Sequence, residues 1–430
     1  MTKRINVLAL ICFGLISGVK AQTLNSPYSR YGIGNTLSNQ NILTRAMGGV
    51  ASAYGDYQTI NFYNPASYGN LQTVTYDVGL ELENLTIRSF NPVQKFSNAS
   101  PIISNVNLGI PLKKNGGWGL VFGLRPNSRI GYKVLKSERL NFGSGATDSV
   151  STLFEGNGGT QQVFLGTGFR IKRFTFGANL GYMFGSKDHS TRRIFINDSL
   201  LYAKSNSETK SNFYGFVVNA GAQYNAKLNN KYVLRMGAQA TLQQNLKATR
   251  DVVRETYNYD ANGAELRIDS VYAVAGQTGR VQLPLSYSAG FILDKSGQWQ
   301  IGVEYAAAKW SKYRYFGETD QVQDSWEIRT GGQLIPKAGK SYWGSVAYRA
   351  GFNYGVDYIA ADGDLKKFSF TFGAGLPMRR VTYTNQFSII NTSLEFGQRG
   401  TNASLVKENF VRFSVAFSMS DIWFIKRKYD

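Results

Sequence analysis

The sequence predicts an all-β fold: a transmembrane antiparallel β-barrel of about fourteen strands, with an N-terminal plug in its lumen. Three observations support this. Apolar and polar residues alternate over segments of about ten residues, the connections alternate between short and long, and aromatic residues lie near segment ends. The composition agrees, because 46 Gly, 26 Tyr and 27 Phe beside only 9 Pro suit a large antiparallel sheet.

The alternation is clearest in residues 74–82. There the apolar side chains fall on every second position, and Thr75, Asp77, Gly79 and Glu81 fall between them. Successive side chains of a strand point to opposite faces, so this segment has one apolar and one polar face. The same pattern recurs in residues 174–184, 299–307 and 368–376. Alternation alone would also fit a soluble β-sandwich or a secreted adhesin with an apolar core.

Connection lengths favour the barrel over the sandwich. We expect strands at residues 74–82, 102–112, 118–124, 163–171, 174–184, 214–224, 232–242, 281–293, 299–307, 326–334, 342–354, 368–376, 387–396 and 410–419. The links 113–117, 172–173, 226–231, 294–297 and 335–341 are tight, whereas 125–162, 185–213 and 243–280 are long. Outer-membrane barrels combine brief periplasmic turns with long outer loops in this way. Within the long links, residues 194–202 and 257–271 are expected to form hairpins above the membrane.

Aromatic residues near the strand ends predict the interfacial girdles of a membrane barrel. They are Trp118, Tyr182, Phe184, Tyr224, Tyr232, Trp299, Trp326, Tyr342 and Trp423. Closure is required because an open sheet would leave unpaired backbone groups inside hydrocarbon. Beyond the first twenty residues no apolar run approaches the roughly 20 residues of a membrane helix, which excludes a helical membrane protein.

The N-terminus predicts export. Lys3 and Arg4 precede an apolar stretch at residues 7–16, and Val19 and Ala21 suit a cleavage site, so residues 1–21 are expected to be a signal peptide. The alternative is a buried N-terminal strand. Cleavage would remove three basic residues and Cys12, which is the only cysteine, and would lower the net charge from +20 to +17. We therefore expect a basic, thiol-free protein in the outer membrane.

The basic charge does not indicate nucleic acid. Lys and Arg occur in small clusters between apolar runs, where they can face anionic lipid headgroups or lipopolysaccharide instead. Arg192, Arg193, Arg250 and Arg254 of the outer links are expected to face lipopolysaccharide.

Enzyme chemistry is not expected. One histidine and one cysteine exclude most hydrolytic triads, zinc sites and iron–sulfur sites, and neither a metal nor another cofactor is expected. The single histidine, His189, lies between Asp188 and Ser190 in a long link. We expect a solvated loop histidine there.

Residues 22–70 precede the first strand and do not alternate. Ile42, Met47, Val50, Ile60 and Phe62 make this stretch too apolar for a disordered periplasmic tail, which is the alternative. A barrel of this size is too wide to be filled by its own strand side chains. We therefore expect residues 22–70 to occupy the lumen and residues 71–424 to form the barrel.

The N-terminal stretch contains two motifs: RAMGGV, which begins at Arg45, and NFYNPA, which begins at Asn61 just before the first strand. Together they resemble the hatch of FadL-type outer-membrane proteins. This resemblance implies fourteen strands, a small hatch, and uptake of long-chain fatty acids or aromatic hydrocarbons. The hatch residues it implies are Arg45, Gly48, Gly49, Asn61, Asn64, Pro65 and Ala66. The last predicted strand, followed by Trp423 and Phe424, fits a barrel-assembly signal. The basic tail 425–430 departs from the family, and we expect it to contact periplasmic partners.

The resemblance also implies a lateral gate in the third strand, through which the transported molecule leaves the lumen sideways. Gly119 and Gly123 lie on the inner face of that strand, and Pro126 ends it. Gly weakens a strand and Pro removes a ladder hydrogen bond, so a local distortion is expected. The alternative is that both glycines are ordinary lumen-facing residues.

Charged residues on inward-facing positions are expected to pair with each other or with the plug, because unpaired charges are costly there. They are Asp77, Glu81, Arg125, Arg170, Arg235, Glu304, Arg349, Glu395 and Arg412. Arg349 or Arg412 could instead bind a fatty carboxylate.

Three functions stay open at this point. The first is passive uptake of a hydrophobic molecule, and the second is a structural or adapter subunit of a larger outer-membrane assembly. The third is a water-filled pore, which would require the plug to be absent. A transporter needs a continuous apolar pocket between plug and wall, whereas an adapter can have a sealed or polar interior.

Overall fold

A computed structural model describes residues 25–421, apart from 91, 114–115, 142–146, 197–202, 261, 263–264, 296, 337–340, 362 and 379–386. The predicted signal peptide, the tail 425–430, and Trp423 and Phe424 lie outside the described residues. So do parts of both predicted hairpin turns.

Fourteen long strands form one antiparallel sheet. They are β1 Val74–Phe90, β2 Val93–Pro111, β3 Trp118–Asn141, β4 Thr147–Ile171, β5 Phe174–Ile196, β6 Lys204–Lys227, β7 Tyr232–Thr241 with Gln244–Tyr259, β8 Glu265–Leu283 with Ser286–Lys295, β9 Trp299–Ala308, β10 Ser325–Leu334, β11 Ala347–Val356, β12 Lys366–Pro377, β13 Phe387–Arg399 and β14 Val406–Asp421. Strands β7 and β8 are each interrupted by two residues.

The sheet closes on itself, because β14 pairs with β1 from Val406 opposite Ser89 to Asp421 opposite Val74. Each remaining strand pairs with its neighbours in chain order. The closed fourteen-stranded antiparallel barrel is therefore confirmed. The predicted strand 342–354 was wrong at its start, where Ser341 caps a helical turn by accepting a hydrogen bond from the Gly344 amide.

Shorter elements complete the fold. They are the 3-10 helices Pro27–Arg30, Pro65–Asn70 and Trp310–Lys312, the two-residue strands Asn35–Thr36 and Arg314–Tyr315, and the helices α1 Ile42–Arg45 and α2 Tyr342–Ser345. No helix in the described ranges is long and apolar enough to cross a bilayer.

The outer face of the barrel is apolar. Leu180 is 55% exposed and Phe372 is 52% exposed, whereas the alternate positions Asn179 and Thr371 are buried inside. An apolar band of this extent around a whole molecule is a membrane-facing surface. On β5, Phe174 and Phe184 bound a stretch whose length matches the roughly 9–11 residues that cross the bilayer.

The prediction of long outer loops at residues 125–162, 185–213 and 243–280 was wrong, because these residues lie mostly in strands. Strand β4 alone has 25 residues, so it runs about 85 Å at about 3.4 Å per residue. Strands β3 to β8 therefore form a tall half-wall above the membrane. The expected hairpin at residues 257–271 is confirmed, because Glu265 to Arg267 pair with Tyr259 to Tyr257. The expected hairpin at residues 194–202 lies largely outside the described residues.

Candidate functional site

Residues 25–73, here called the N-terminal segment, pack against the inner face of the barrel. The segment's backbone lies directly on inward-facing glycines: Gly119 is under the Tyr68 carbonyl, and Gly237 is under the Ser52 carbonyl. A Cβ atom at either position would clash with that backbone. Much of the glycine content of the strands is therefore needed for close approach to this segment.

Arg45, the last residue of α1, is buried in a network of charges that joins the segment to three strands. Its guanidinium pairs with Glu81 of β1 and lies 3.8 Å from Glu395 of β13. Arg412 of β14 lies 3.0 Å from Glu83 and 3.4 Å from Glu395. Each of the three carboxylates thus meets at least one guanidinium, so this network is an ion cluster in which the charges compensate each other.

The Gly48-Gly49 turn that follows α1 needs glycine. Gly48 has φ +67° and Gly49 has φ +87°, in the left-handed region that other residues rarely adopt. A Cβ on Gly48 would also meet the Thr330 carbonyl of β10. The Gly48 amide donates to the Thr371 hydroxyl of β12 at 2.9 Å. The turn therefore seats the segment between two strands.

Glu304 of β9 holds the next part of the segment. Its carboxylate accepts hydrogen bonds from the amides of Ala51 at 2.7 Å and Ser52 at 2.6 Å. Its other oxygen lies 2.8 Å from Arg329 of β10, which also donates to the Tyr63 hydroxyl at 3.0 Å. Glu304 thus binds the backbone of the segment as a hydrogen-bond acceptor. Arg329 was not identified from the sequence.

The asparagines of the second motif organise the segment itself. Asn61 donates to the carbonyls of Ala51 at 2.7 Å and Tyr54 at 2.9 Å. Asn64 donates to the Ser52 carbonyl at 2.6 Å and accepts from the Ala66 amide at 3.1 Å, which caps the 3-10 helix that begins at Pro65. Asn64 also donates to the Ala238 carbonyl of the wall at 3.2 Å. The amide donors of both side chains are thus used to hold the segment in shape and in place, which is an architectural role.

The outer part of the segment is held by Arg399 of β13, which sequence reasoning also missed. Arg399 lies 2.6 Å from Glu408 of β14 and 3.6 Å from Asp357. The same guanidinium donates to the side chains of Asn35 at 2.9 Å and Ser26 at 3.2 Å. Arg399 and Glu408 lie outside the predicted strands 387–396 and 410–419. These predicted strands were too short for the alternation to include the two residues.

Strands β2 and β3 share only a short ladder of hydrogen bonds, here called the seam, and they separate above it. They pair only from Val106 opposite Leu124 to Pro111 opposite Gly119. Above that point the N-terminal segment takes the place of β2 on the edge of β3: Asn35 and Thr36 pair with Arg129 and Ser128. The Leu37 amide donates to the Asn127 carbonyl, and the Ser26 amide donates to the Gly131 carbonyl, both at 2.8 Å. The free edge of β3 is thus covered from inside.

Two of the predicted gate residues, Gly119 and Gly123, lie within the seam, and Pro126 lies just above it. Gly119 is packed under Tyr68, and Gly123 is close to Asn107 and the Phe164 ring, so both glycines are sites of tight packing. Pro126 coincides with a register shift in the β3–β4 ladder. Arg129 spans the gap between β2 and β3 above the seam, because it donates to the Ser100 hydroxyl of β2 at 2.8 Å and lies 3.4 Å from Glu83 of β1.

Three predicted lumen charges have neutral hydrogen-bond partners. Arg125 contacts Asn39 and Gln162 and lies over the Phe62 ring. Arg349 donates to Gln333 at 2.7 Å and Asn391 at 2.9 Å. Asp77 accepts from Asn105 at 2.8 Å and Ser418 at 2.6 Å.

A cavity of about 360 Å³ remains between the segment and the wall. Its charged lining comprises six cations and five carboxylates: Arg45, Arg125, Arg329, Lys367, Arg399, Arg412, Glu83, Glu327, Asp357, Glu395 and Glu408. Above it, an apolar cluster joins Tyr28 and Ile33 of the segment to the strands and outer loops. In that cluster Trp310 stacks on Tyr358 with ring centroids 4.1 Å apart. The remaining lining of the cavity includes many apolar side chains, such as Leu85, Met183 and Phe368. The cavity is therefore small, rich in charge as well as apolar surface, and covered by packed aromatic side chains on the outer side.

His189 is not a solvated loop residue, which corrects the prediction. It lies in β5, half-buried, and its Nδ1 is 2.8 Å from the Tyr132 hydroxyl. Burial, followed by the nearby charges of Lys187 and Arg30, lowers the pKa of His189 to about 3. Its sequence neighbours point to the opposite face of the strand, so these three residues do not converge on one site.

The fold is similar to that of solved hydrophobic-compound channels. The toluene transporter TodX of Pseudomonas putida matches with a TM-score of 0.53 at 16% identity, covering 90% of this chain and 99% of that chain. A FadL homologue of Pseudomonas aeruginosa matches with a TM-score of 0.56 at 12% identity, covering 91% and 100%. The monoaromatic hydrocarbon channel CymD matches with a TM-score of 0.53 at 14% identity, covering 91% and 98%. The chain thus has the FadL-type fold.

Comparison by sequence gives a different kind of match. No curated protein matches the chain. A family model described as BamG matches residues 1–430.

Proposed function

The chain belongs to the BamG family over residues 1–430, and we propose that it is a plugged barrel that serves as a structural or adapter subunit of a larger outer-membrane assembly. The N-terminal segment is the plug in this proposal. Its residues Arg45, Gly48 and Asn64 fix its seat, and they bind no transported molecule.

The observation that carries this proposal is the number of charged side chains, eleven in all, among the polar and apolar residues that line the remaining cavity. A hydrophobic molecule in a space of about 360 Å³ would have to desolvate charges without replacing their hydrogen bonds, which costs several kcal/mol. Typical ligand pockets are mostly apolar with a few polar groups. Here cations and carboxylates are nearly balanced, so the lining also gives little net attraction to a fatty carboxylate. The interior suits a sealed barrel better than a conduit.

The tall half-wall supplies the surface that a subunit needs. On β8 the side chains of Leu266, Ile268, Val271 and Tyr272 are 50% to 71% exposed. These residues lie well above the bilayer-crossing part of the strand, so lipid does not cover them. Exposed apolar residues that lie close together on one element are typical of interaction sites.

The proposal is tested by the mass of the natively purified protein. Extracted from its own membrane in mild detergent, the full chain should migrate as a stoichiometric complex with other protein chains in native mass spectrometry. Replacement of Leu266 and Val271 by Ser should reduce the complex, whereas the same change at Leu165 and Leu180 on the lipid-facing band should not. A lone barrel that retains a hydrophobic molecule would contradict the proposal.

Uptake of a hydrophobic small molecule is the second candidate, and the seam favours it. The ladder between β2 and β3 is only six residue pairs long, so this is where the wall could open sideways. A disulfide between Thr36→Cys and Ser128→Cys would lock the segment onto β3. If uptake of a labelled hydrocarbon by cells stops under oxidation and returns with reductant, transport through the seam is the function. Each single-cysteine variant is the control.

A further inference from the structure

The short-turn end of the barrel contains a second cavity, here called the basin, of about 450 Å³. In barrels of this kind the short turns face the periplasm. Tyr54, Gly55 and Asp56 of the N-terminal segment line one side, and strand ends including Asn225 and Trp299 line the other. The ion clusters that hold the N-terminal segment in the lumen do not extend into the basin. The sealing of the barrel therefore does not explain the charged residues that line the basin.

Two arginines face the basin. Arg235 pairs with Asp294 and donates to the Gly55 carbonyl, so its charge is matched. Arg170 is exposed at the end of β4 and takes part in no ion pair within the described residues. The basin therefore presents one available guanidinium, the group best suited to bidentate binding of a carboxylate.

Further cations surround the basin on the turns and strand ends. They are Lys113, Lys172, Arg173, Lys227, Lys231 and Lys295, none of which has an ion-pair partner in the part of the chain that the structure describes. With Arg170 and Arg235 this gives eight cations. The described carboxylates at this end are Asp56, Asp294 and Asp421, which leaves an excess of five positive charges.

We propose that the short-turn end is a docking surface for an acidic protein segment, which enters the basin and pairs with Arg170 and the surrounding cations. This inference rests on the proposed adapter role and names the chemistry of one partner. A protein segment fits better than lipid, because Arg170 lies inside the ring of strands. Phosphate headgroups of the surrounding bilayer reach only the outer perimeter.

The probe is a fluorescein-labelled peptide of twelve glutamates, titrated by anisotropy against the full chain in phosphatidylcholine nanodiscs. We expect binding in 20 mM salt that weakens at least tenfold in 300 mM salt, since exposed charge pairs are screened. The variant Arg170→Gln/Lys172→Glu/Arg173→Glu should bind at least tenfold more weakly. Equal loss in a control with the same charge change at the other end, Lys247→Glu/Arg280→Glu/Lys366→Gln, would overturn the proposal.

Two further outcomes separate the alternatives. If phosphatidylglycerol in the disc abolishes peptide binding, anionic lipid occupies this surface and the proposal is wrong. If the peptide does not bind in either disc, the proposal also fails, while the adapter role is judged separately by the mass of the native complex. Folding of each variant is checked by its heat-modifiable mobility on a denaturing gel.

Discussion

Arg45 is expected to be the strongest single attachment of the N-terminal segment to the wall. Replacement by Met would leave Glu81 buried, with Arg412 as its nearest remaining guanidinium at 3.8 Å. Breaking a buried ion pair by removing one partner costs about 3–5 kcal/mol. Because Arg412 compensates in part, we expect the low end, about 3 kcal/mol. At about 1.4 kcal/mol for each factor of ten, the open state of the segment becomes about 100-fold more populated.

Hydrogen exchange of the full chain in detergent measures this population directly. The amides of Gly48, Ala51 and Ser52 are bonded to side chains of the wall, so peptides that cover them should exchange about 100-fold faster in Arg45→Met. Lys367→Met is the control, because its ion pair with Glu327 is 32% exposed on the lysine side and should matter little. Unchanged exchange in Arg45→Met would show that Arg45 contributes little to holding the segment on the wall.

A double variant separates the ion pair from simple loss of packing. In Arg45→Met/Glu81→Met both charges are gone, and Arg412 still has Glu83 and Glu395. Replacing both members of a buried pair by apolar residues is often nearly neutral. Exchange should therefore return most of the way to that of the wild type. If the two changes simply add, the pair does not hold the segment.

Three more predictions concern single positions. Gly48→Ala should lower the thermal midpoint, because an L-residue in the left-handed region costs about 1–2 kcal/mol and the new Cβ would also clash with strand backbone. The control is Gly297→Ala, at φ +71° with open space around it, which should show only the cost of the backbone conformation. Trp310→Ala should cost about 3–5 kcal/mol in urea unfolding from vesicles, since it vacates the stack on Tyr358. The pKa of His189 is lowered to about 3, so between about pH 6.5 and pH 3 this residue binds a proton only in the unfolded chain. The free energy of unfolding should therefore fall as the pH drops from 7.5 to 5, and His189→Phe should remove the contribution of His189 to this pH dependence.

The sequence predicted the membrane-crossing part of the barrel well, for a physical reason. Between Phe174 and Phe184 one face meets lipid and the other meets the segment, so the two faces need different residues and the alternation is strong. Above Phe184 the outer face of the tall wall meets water instead of lipid, and its inner face mixes buried apolar side chains such as Ile130 and Val150 with polar ones. The alternation fades there, and strand was mistaken for loop.

The interior charges were predicted in part. The alternation placed Glu81 and Glu395 inside, and it would have placed Glu83 and Arg399 there too if the strands had been extended. The partner of Arg45 was not predictable, because it depends on how a segment without alternation folds against the wall. Glu304 was expected to pair with a charge, but its two backbone donors follow from the shape of the 51–52 loop.

Flux through the purified full chain in vesicles measures directly whether the lumen is closed. Radiolabelled toluene or a fluorescent long-chain fatty acid would be added outside vesicles that enclose a binding protein. Its capture inside the vesicles would be measured with and without the barrel in the membrane. If the lumen is closed, the rates with and without the barrel are equal. Saturable uptake that requires the barrel, and that rises further in Arg45→Met, would contradict a closed lumen.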